Sequence, residues 1–230
     1  MALKIEYAIN FEDGTSKSFT VSIDTSNYTI PEDDKVEAPD WTLLEFNQCP
    51  HCPYTPAEKK YCPVAKNLSE ASVTFKEARS FTNVTAFVKT EDRFYGKKTD
   101  LQTALFSLFG LLMATSACKY MDMFKSMAQF HLPFASHKET MVRTLGMHLL
   151  GEYMKQQDNP SHKISLDKLL KDYEQVVPVN QGMIDRIRAL KGGDATQNAV
   201  IVLDAFASLL PLQVSSGLAD IKELFPQDKK

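Results

Sequence analysis

The sequence predicts an α+β fold in which a small antiparallel sheet packs on a C-terminal bundle of about five helices. Two observations predict this class. Residues 4–24 alternate apolar and polar side chains on both sides of an Asp-Gly turn, which is typical of a β-hairpin. From residue 99 onward, apolar residues recur at helical spacing between capping signals. We therefore expect a β-rich part with a cysteine-rich loop over residues 1–98 and a helical bundle over residues 99–230, joined in one integrated domain.

Two further strands are predicted within the first 98 residues. Residues 41–46 form a short apolar run that follows a loop rich in proline and acidic residues at positions 27–40. Alternation over residues 84–88 indicates another strand, which extends toward Tyr95. The hairpin and these two strands together account for the predicted sheet.

Helix start signals divide the rest of the chain. The expected first residues or N-caps of the helices are Pro63, Thr99, Ser136, Ser165 and Asp194. Thr99 and Ser136 each open a capping box, in which the hydroxyl and a Gln or Glu three residues later satisfy free backbone amides. Pro178 is expected to end or kink the Ser165 helix, and Pro211 to bend the last helix. The Ser136 helix is predicted to turn four apolar residues inward: Val142, Leu145, Leu149 and Tyr153.

Composition and patterning argue against several classes of function. A formal net charge of −3 and a pI near 6.0 disfavour a protein devoted to nucleic acid. The N-terminus lacks the apolar core of a signal peptide, so we expect a cytoplasmic protein whose clustered thiols serve metal or redox chemistry rather than disulfides. Residues 101–118 are uncharged, but polar side chains dilute them. We interpret them as a central core helix and expect no membrane span.

Three of the four cysteines lie within fourteen residues, at Cys49, Cys52 and Cys62, and each is followed by proline. A Cys-x-x-Cys pair joined by a stiff turn can hold one metal ion, and a third thiol close behind strengthens that interpretation. A closed structural zinc site takes four ligands, so Cys118 at the end of the uncharged helix is the predicted fourth, with His51 as a rival. The ion would join the cysteine loop to the central helix and couple metal binding to folding.

Other uses of the same cysteines stay open. An iron–sulfur cluster also takes four thiolates and suits proline after cysteine. A redox dithiol at Cys49 and Cys52 is the third interpretation, although the predicted helix begins only after Cys62, unlike the thioredoxin arrangement. Without any metal, Cys118 would be a small buried apolar residue.

The segment from Phe130 to His137 links two predicted helices and is the best place to look for catalytic chemistry. His131 could act as a metal ligand or general base, with Glu139 or Arg143 completing a pocket. We favour a simpler interpretation, a partly buried His131 that donates to a backbone carbonyl, because no nucleophile–base pairing can be read from the sequence. A metal-dependent enzyme that uses His131 is accordingly the second alternative.

Asp204 stands alone in an apolar stretch of the last helix. An unpaired carboxylate is costly to bury, so a partner is required. We expect an ion pair with Arg143, Arg186 or Arg188.

Three segments carry a resemblance to known proteins: CPHCP…YCPVAKNL, LQTALFSLFGLLMATSAC and FHLPFASHKET. Through them the chain resembles an uncharacterised family of bacterial proteins over residues 40–210. The resemblance implies no activity. It does imply that Cys118 and His131 belong to the same architectural unit as the loop from Cys49 to Cys62. Together with the cysteine pattern, it leads us to expect a non-enzymatic binding or regulatory protein with a structural zinc, whose protein or small-molecule partner is left open.

Overall fold

The computed structural model describes residues 2–32, 37–190 and 192–225. It confirms the α+β fold. The strands are β1 (Ala2–Phe11), β2 (Ser16–Asp24), β3 (Asn83–Lys89) and β4 (Phe94–Asp100). They form one antiparallel sheet in the order β2-β1-β3-β4, so the N-terminal hairpin pairs with the later strands through β1. Residues 33–36 of the predicted loop and the last residues of the predicted bundle, 226–230, lie outside the described ranges.

The alternation that predicted the hairpin places one face of the sheet in the core. Tyr7 lies opposite Phe19 of β2 and opposite Val88 of β3, and all three side chains are buried. Ile5 and Ile9 flank Tyr7 on the same face. This face packs on the helices, so Tyr7 becomes available to groups on the bundle.

Seven α-helices occur in the described ranges: α1 (Pro63–Thr74), α2 (Leu101–Ala114), α3 (Lys125–Gln129), α4 (His137–Asp158), α5 (Asp167–Arg188), α6 (Asp194–Ser215) and α7 (Ala219–Lys222). A 3-10 helix at Lys119–Phe124 precedes α3. α6 packs on both α2 and α5, and α1 packs on α2. The sheet and the helices contribute to one continuous cluster of buried apolar side chains. The predicted boundary at residue 98 between a β-rich part and a helical bundle stays a prediction.

The predicted strand over residues 41–46 is wrong. Asp40–Thr42 form a short 3-10 helix, and Leu43 makes only an isolated bridge to Tyr61. A side chain of the bundle explains the difference, because Arg186 binds three carbonyl oxygens of this stretch that a neighbouring strand would otherwise use. The chain is held by a helix rather than by a sheet.

The last two strands were predicted as one. β3 ends at Lys89 because the Thr90 amide donates to the carbonyl oxygen of Arg93 at 2.9 Å and closes a turn. Tyr95 therefore belongs to the returning strand β4. This hairpin supplies the fourth strand in place of residues 41–46.

Of the two predicted capping boxes, the structure contains one. The box at Ser136 is confirmed, since its hydroxyl accepts the Glu139 amide while the Glu139 carboxylate accepts the Ser136 amide. The box at Thr99 is wrong because Thr99 still belongs to β4. Asp100 caps α2 instead, by accepting the amide of Thr103 at 2.9 Å.

Pro178 does not end its helix, and the helix that contains Pro211 also continues beyond it. Pro178 lies inside α5 and Pro211 inside α6, and both helices continue beyond them. α5 begins at Asp167, whose amide donates to the hydroxyl of Ser165 at 3.3 Å. The residues on both sides of Pro178 consequently belong to one helix, which matters for the cysteine site below.

The inward stripe predicted on α4 is wrong at Leu149 and Tyr153, which are 39% and 50% exposed. In this half of the helix the buried position is taken by Glu152, which is only 4% exposed. Its carboxylate binds Lys155 at 2.7 Å and His162 at 2.8 Å. Because an ion-paired glutamate occupies the inner face, the apolar residues around it turn outward.

α2 behaves as the predicted core helix, with ten of its 14 residues buried. Among the helices in the described ranges, α6 is long and apolar enough to cross a membrane by length and composition. α2 and the segment Lys119–Gln129 pass that test only when counted as one span, and a bend of 115° separates them. Several apolar side chains of α6 face outward: Ile201, Val202, Leu209 and Leu212.

Candidate metal centre

Separate parts of the fold carry the four cysteines. Cys49 and Cys52 lie in the loop before α1, where the Cys52 amide donates to the Cys49 carbonyl oxygen at 3.0 Å and closes a tight turn. Cys62 is the N-cap residue of α1. Cys118 immediately precedes the 3-10 helix that follows α2. None of the four forms a disulfide.

The four cysteines lie on neighbouring segments of the chain, because Tyr120 donates to the carbonyl oxygen of His51 and Tyr54 donates to that of Ala117. Burial, and after it the charges that the other three cysteines would carry as thiolates, raise the pKa of Cys118 to about 12. Burial, and after it thiolate charge at Cys62 and Cys52, raise the pKa of Cys49 to about 11, and burial raises the pKa of Cys62. Burial thus favours the neutral thiols.

Backbone amides face two of these sulfur atoms. The amides of Val64 and Ala65 at the start of α1 lower the pKa of Cys62 and partly offset burial, and the amide of Tyr120 does the same for Cys118. Neither thiol makes a formal capping hydrogen bond. Amides at a helix start favour a negative sulfur, so both positions are suited to a thiolate.

Arg186 of α5 is buried beside the cysteines, with 1% of its surface exposed. Its guanidinium donates to the carbonyl oxygens of Trp41, Leu43 and Leu44 at 2.7, 2.8 and 2.9 Å. Among the described residues, no carboxylate lies within 4.0 Å of it. Burial lowers the pKa of Arg186, and thiolates at the cysteines would raise it again. Thiolates at Cys62, Cys49 and Cys52 would therefore supply a counter-charge for this guanidinium.

Gly182 makes room for the cluster on the same helix. A Cβ atom at this position would lie 3.0 Å from Sγ of Cys49 and 3.6 Å from the carbonyl oxygen of Asn47. Glycine inside a helix costs about 1 kcal/mol relative to alanine. Gly182 and Arg186 are four residues apart, so one face of α5 carries both the space for a sulfur and the cation beside it.

His51, the predicted rival ligand, contributes to clamping the loop. Its Nε2 donates to the carbonyl oxygen of Gln175 at 2.9 Å, and its ring stacks on Tyr120 with 4.2 Å between ring centres. The Tyr120 hydroxyl donates back to the His51 carbonyl oxygen at 2.7 Å, and Tyr54 donates to the carbonyl oxygen of Ala117 at 3.1 Å. These contacts fasten the cysteine loop to α5 and to the chain around Cys118.

The donor set suits a metal that prefers sulfur. Within the part of the chain that the structure describes, no group of three or more His, Cys, Asp or Glu side chains is arranged as a ligand shell. The cysteine loop nonetheless contacts the chain around Cys118, amides face two of the thiols, and the buried Arg186 lies near Cys49, Cys52 and Cys62. Zinc and iron–sulfur clusters both take such thiols as thiolates.

His131 lies in a different polar group, formed with the sheet. The Tyr7 hydroxyl is 2.5 Å from Nε2 of His131 and 2.9 Å from the hydroxyl of Ser107. Ser107 in turn accepts the amide of Phe134 at 3.3 Å. The favoured prediction, a bond from His131 to a backbone carbonyl, missed Tyr7 because the partner comes from a distant strand. Burial, and after it the charge of Arg143, lower the pKa of His131 to about 3.

This half-buried histidine predicts a loss of stability in acid. The pKa of His131 is about 3 in the fold, against about 6.5 in an unfolded chain, so between these values the unfolded chain binds the extra proton. Its contribution is complete above pH 6.5 and is lost as the pH falls toward 3, at up to about 1.4 kcal/mol per pH unit. Urea unfolding measures the free energy of unfolding of wild type and of His131→Gln between pH 7.5 and pH 5. The advantage of the wild type over the variant should shrink or reverse as the pH falls. His137→Gln, at an exposed histidine, is the control, and parallel curves for wild type and His131→Gln would contradict the prediction.

Asp204 does not make the predicted ion pair. Arg186 binds the loop carbonyls, Arg143 binds two other carbonyl oxygens, and Arg188 contacts Asp185 at 3.6 Å. Burial raises the pKa of the Asp204 carboxyl, and the side-chain amide of Asn180 partly offsets this. The arginines were predicted as partners from charge alone, whereas the fold assigns them to backbone oxygens.

Sequence reasoning found the thiols and missed the residues on α5 that serve them. The available signal was Gly182, a glycine inside an otherwise regular helix, with Arg186 one turn later. Such a pair indicates close approach of another chain segment to one helix face.

The structure is a four-stranded sheet packed on a helical bundle, with its four cysteines in the loop before α1, at the N-cap of α1 and after α2. The family described as a domain of unknown function (DUF6901) matches residues 5–226, so the chain belongs to that family. The resemblance to an uncharacterised family is thereby confirmed, and it extends beyond residues 40–210. Comparisons with curated proteins and with solved structures found no match.

Proposed function

We propose that this is a non-enzymatic binding or regulatory protein whose fold is cross-linked by one Zn²⁺, held by Cys49, Cys52, Cys62 and Cys118. The observation that carries the proposal is the buried guanidinium of Arg186, which has no carboxylate partner among the described residues and lies near Cys49, Cys52 and Cys62. A zinc ion with four thiolates has a net negative charge. This negative group would supply a counter-charge to Arg186, whereas neutral thiols would supply none.

The ion would act in the fold rather than in a reaction. Four thiolates fill a tetrahedral zinc, so no coordination position stays open for a substrate. When bound, the metal supplies a covalent-like link between the loop before α1 and the end of α2, and its binding energy becomes part of the folding energy. The thiols need a reducing compartment to stay free, and the cytoplasm is the compartment we propose.

Three alternatives are supported to different degrees. An iron–sulfur cluster would use the same four thiolates and gain from the same facing amides. A reactive dithiol is less well supported, because such thiols need a lowered pKa and burial raises that of Cys49 to about 11. A metal enzyme using His131 is also less well supported, since Tyr7 lies against the Nε2 of that histidine.

The test is the metal content of protein purified without oxygen. We expect one zinc and no iron per chain by elemental analysis, and no absorption in the visible range. Iron with a brown colour would replace the zinc proposal with a redox or sensing function on the same cysteines. Metal-free protein that takes up neither ion on addition would contradict both.

A further inference from the structure

A cavity of about 140 Å³ lies inside the bundle, and no cysteine lines it. α2, α5, α6 and the start of α4 surround it, and residues 121–135 cover it. Its walls are mainly apolar, with Met121, Met127, Leu203 and Phe206 among them. An engineered apolar cavity of about 150 Å³ holds a benzene molecule, so this space is sufficient for one aromatic ring.

The charge of the cavity wall is positive. Arg143 is the one charged side chain in the described lining, which includes no carboxylate. Its Nη2 donates to the carbonyl oxygens of Met127 and Phe130 at 3.0 and 2.8 Å, which leaves Nε and Nη1 without a hydrogen bond to the described residues. The carboxylate of Glu139, one turn earlier on α4, is bound to Ser136 instead. The charge of Glu139 acts on Arg143 without a direct contact, so a ligand anion in the cavity would meet the guanidinium and no carboxylate of the described lining.

A second polar group in the wall is Asn180, which is 1% exposed. Its side-chain amide acts on the Asp204 carboxyl, but neither Nδ2 of Asn180 nor Oδ1 of Asp204 makes a hydrogen bond of good geometry within the described ranges. A ligand oxygen in the cavity could accept from this amide. His131 also lines the cavity, but Tyr7 lies against its Nε2.

We propose that this cavity binds a small monocarboxylic acid of about the size of benzoate, with its carboxylate on Arg143 and its hydrocarbon body between the apolar walls. Amines are excluded because the guanidinium repels them and no acid in the lining pairs with them. Methionine side chains adapt readily to small changes in ligand shape, which favours a range of related acids over one compound. The site is independent of the proposed metal.

Titrations with benzoate, benzyl alcohol and benzylamine test the site on the full chain. The protein is labelled with ¹³C at the methionine methyl groups, and their NMR chemical shifts are followed. Met113, Met121 and Met127 line the cavity and report on binding there, while the exposed Met154 is an internal control. We expect saturable benzoate shifts at the three lining methionines. Benzyl alcohol should bind at least about tenfold more weakly, and benzylamine not at all.

Two variants test the positive charge and the cavity volume independently. Arg143→Met should weaken benzoate binding at least about tenfold, while Arg93→Met, at an exposed arginine of the β3–β4 turn, should leave it unchanged. Ala207→Leu fills the cavity from α6 and should abolish the shifts, which keeps the test decisive if Arg143→Met does not fold. Equal affinities for benzoate and benzyl alcohol, or full benzoate affinity in Arg143→Met, would overturn the carboxylate assignment. An absence of shifts with all three probes would overturn the site.

Discussion

Cys118→Ser is expected to abolish metal retention and to lower the free energy of unfolding by more than about 4 kcal/mol, the range that follows loss of a structural metal. Cys118 is the ligand that comes from the end of α2, so its removal cuts the link between that helix and the loop before α1. It also leaves Arg186 without the counter-charge of the cluster. Urea unfolding and elemental analysis of the same preparations measure both effects.

The control for this prediction is the effect of a strong zinc chelator on wild type and variant. Chelator should destabilise the wild type by about as much as the substitution does, and it should change Cys118→Ser little, because the two act on the same ion. Ala114→Ser buries the same hydroxyl four residues earlier, at a position that is 7% exposed, and it should retain the metal. Additive effects of chelator and Cys118→Ser would show that the thiol stabilises the fold without a metal.

Arg186→Met is expected to cost about 3–5 kcal/mol of stability, the loss seen when one partner of a buried charged group is removed. The substitution leaves the carbonyl oxygens of Trp41, Leu43 and Leu44 buried without their donor. It also removes the cation beside the thiolates, so zinc should exchange faster to a competing chelator. Urea unfolding and a zinc-competition assay measure the two losses separately.

Arg186→Lys separates charge from geometry. A lysine keeps the positive charge, but it lacks the planar fork that lets Arg186 bind three carbonyl oxygens. We therefore expect zinc retention near that of the wild type with only part of the stability. Arg188→Met changes an exposed arginine on the same helix and should be nearly neutral. Equal stabilities for Arg186→Met and Arg188→Met would contradict the anchoring role.

Much of the fold could be predicted because its signals are local. The alternation around Tyr7 and the capping box at Ser136 depend on a few neighbouring residues, and both were read correctly. The errors arise where another group overrides the local signal. At residues 41–46 that group is the guanidinium of Arg186, at Thr99 it is a strand partner, and beside Tyr153 it is the ion-paired Glu152, which takes the buried position.

The sequence by itself determined the α+β class, the hairpin and the grouping of three of the four cysteines within fourteen residues. It determined these because strand alternation, helix capping and cysteine spacing are properties of nearby residues. Only the tertiary structure decided that Arg186 and Gly182 face the thiols, that Tyr7 meets His131, and that Arg143 lines a cavity. The physical reason is that burial brings together groups more than a hundred residues apart, and there the cost of an unpaired charge selects the partner.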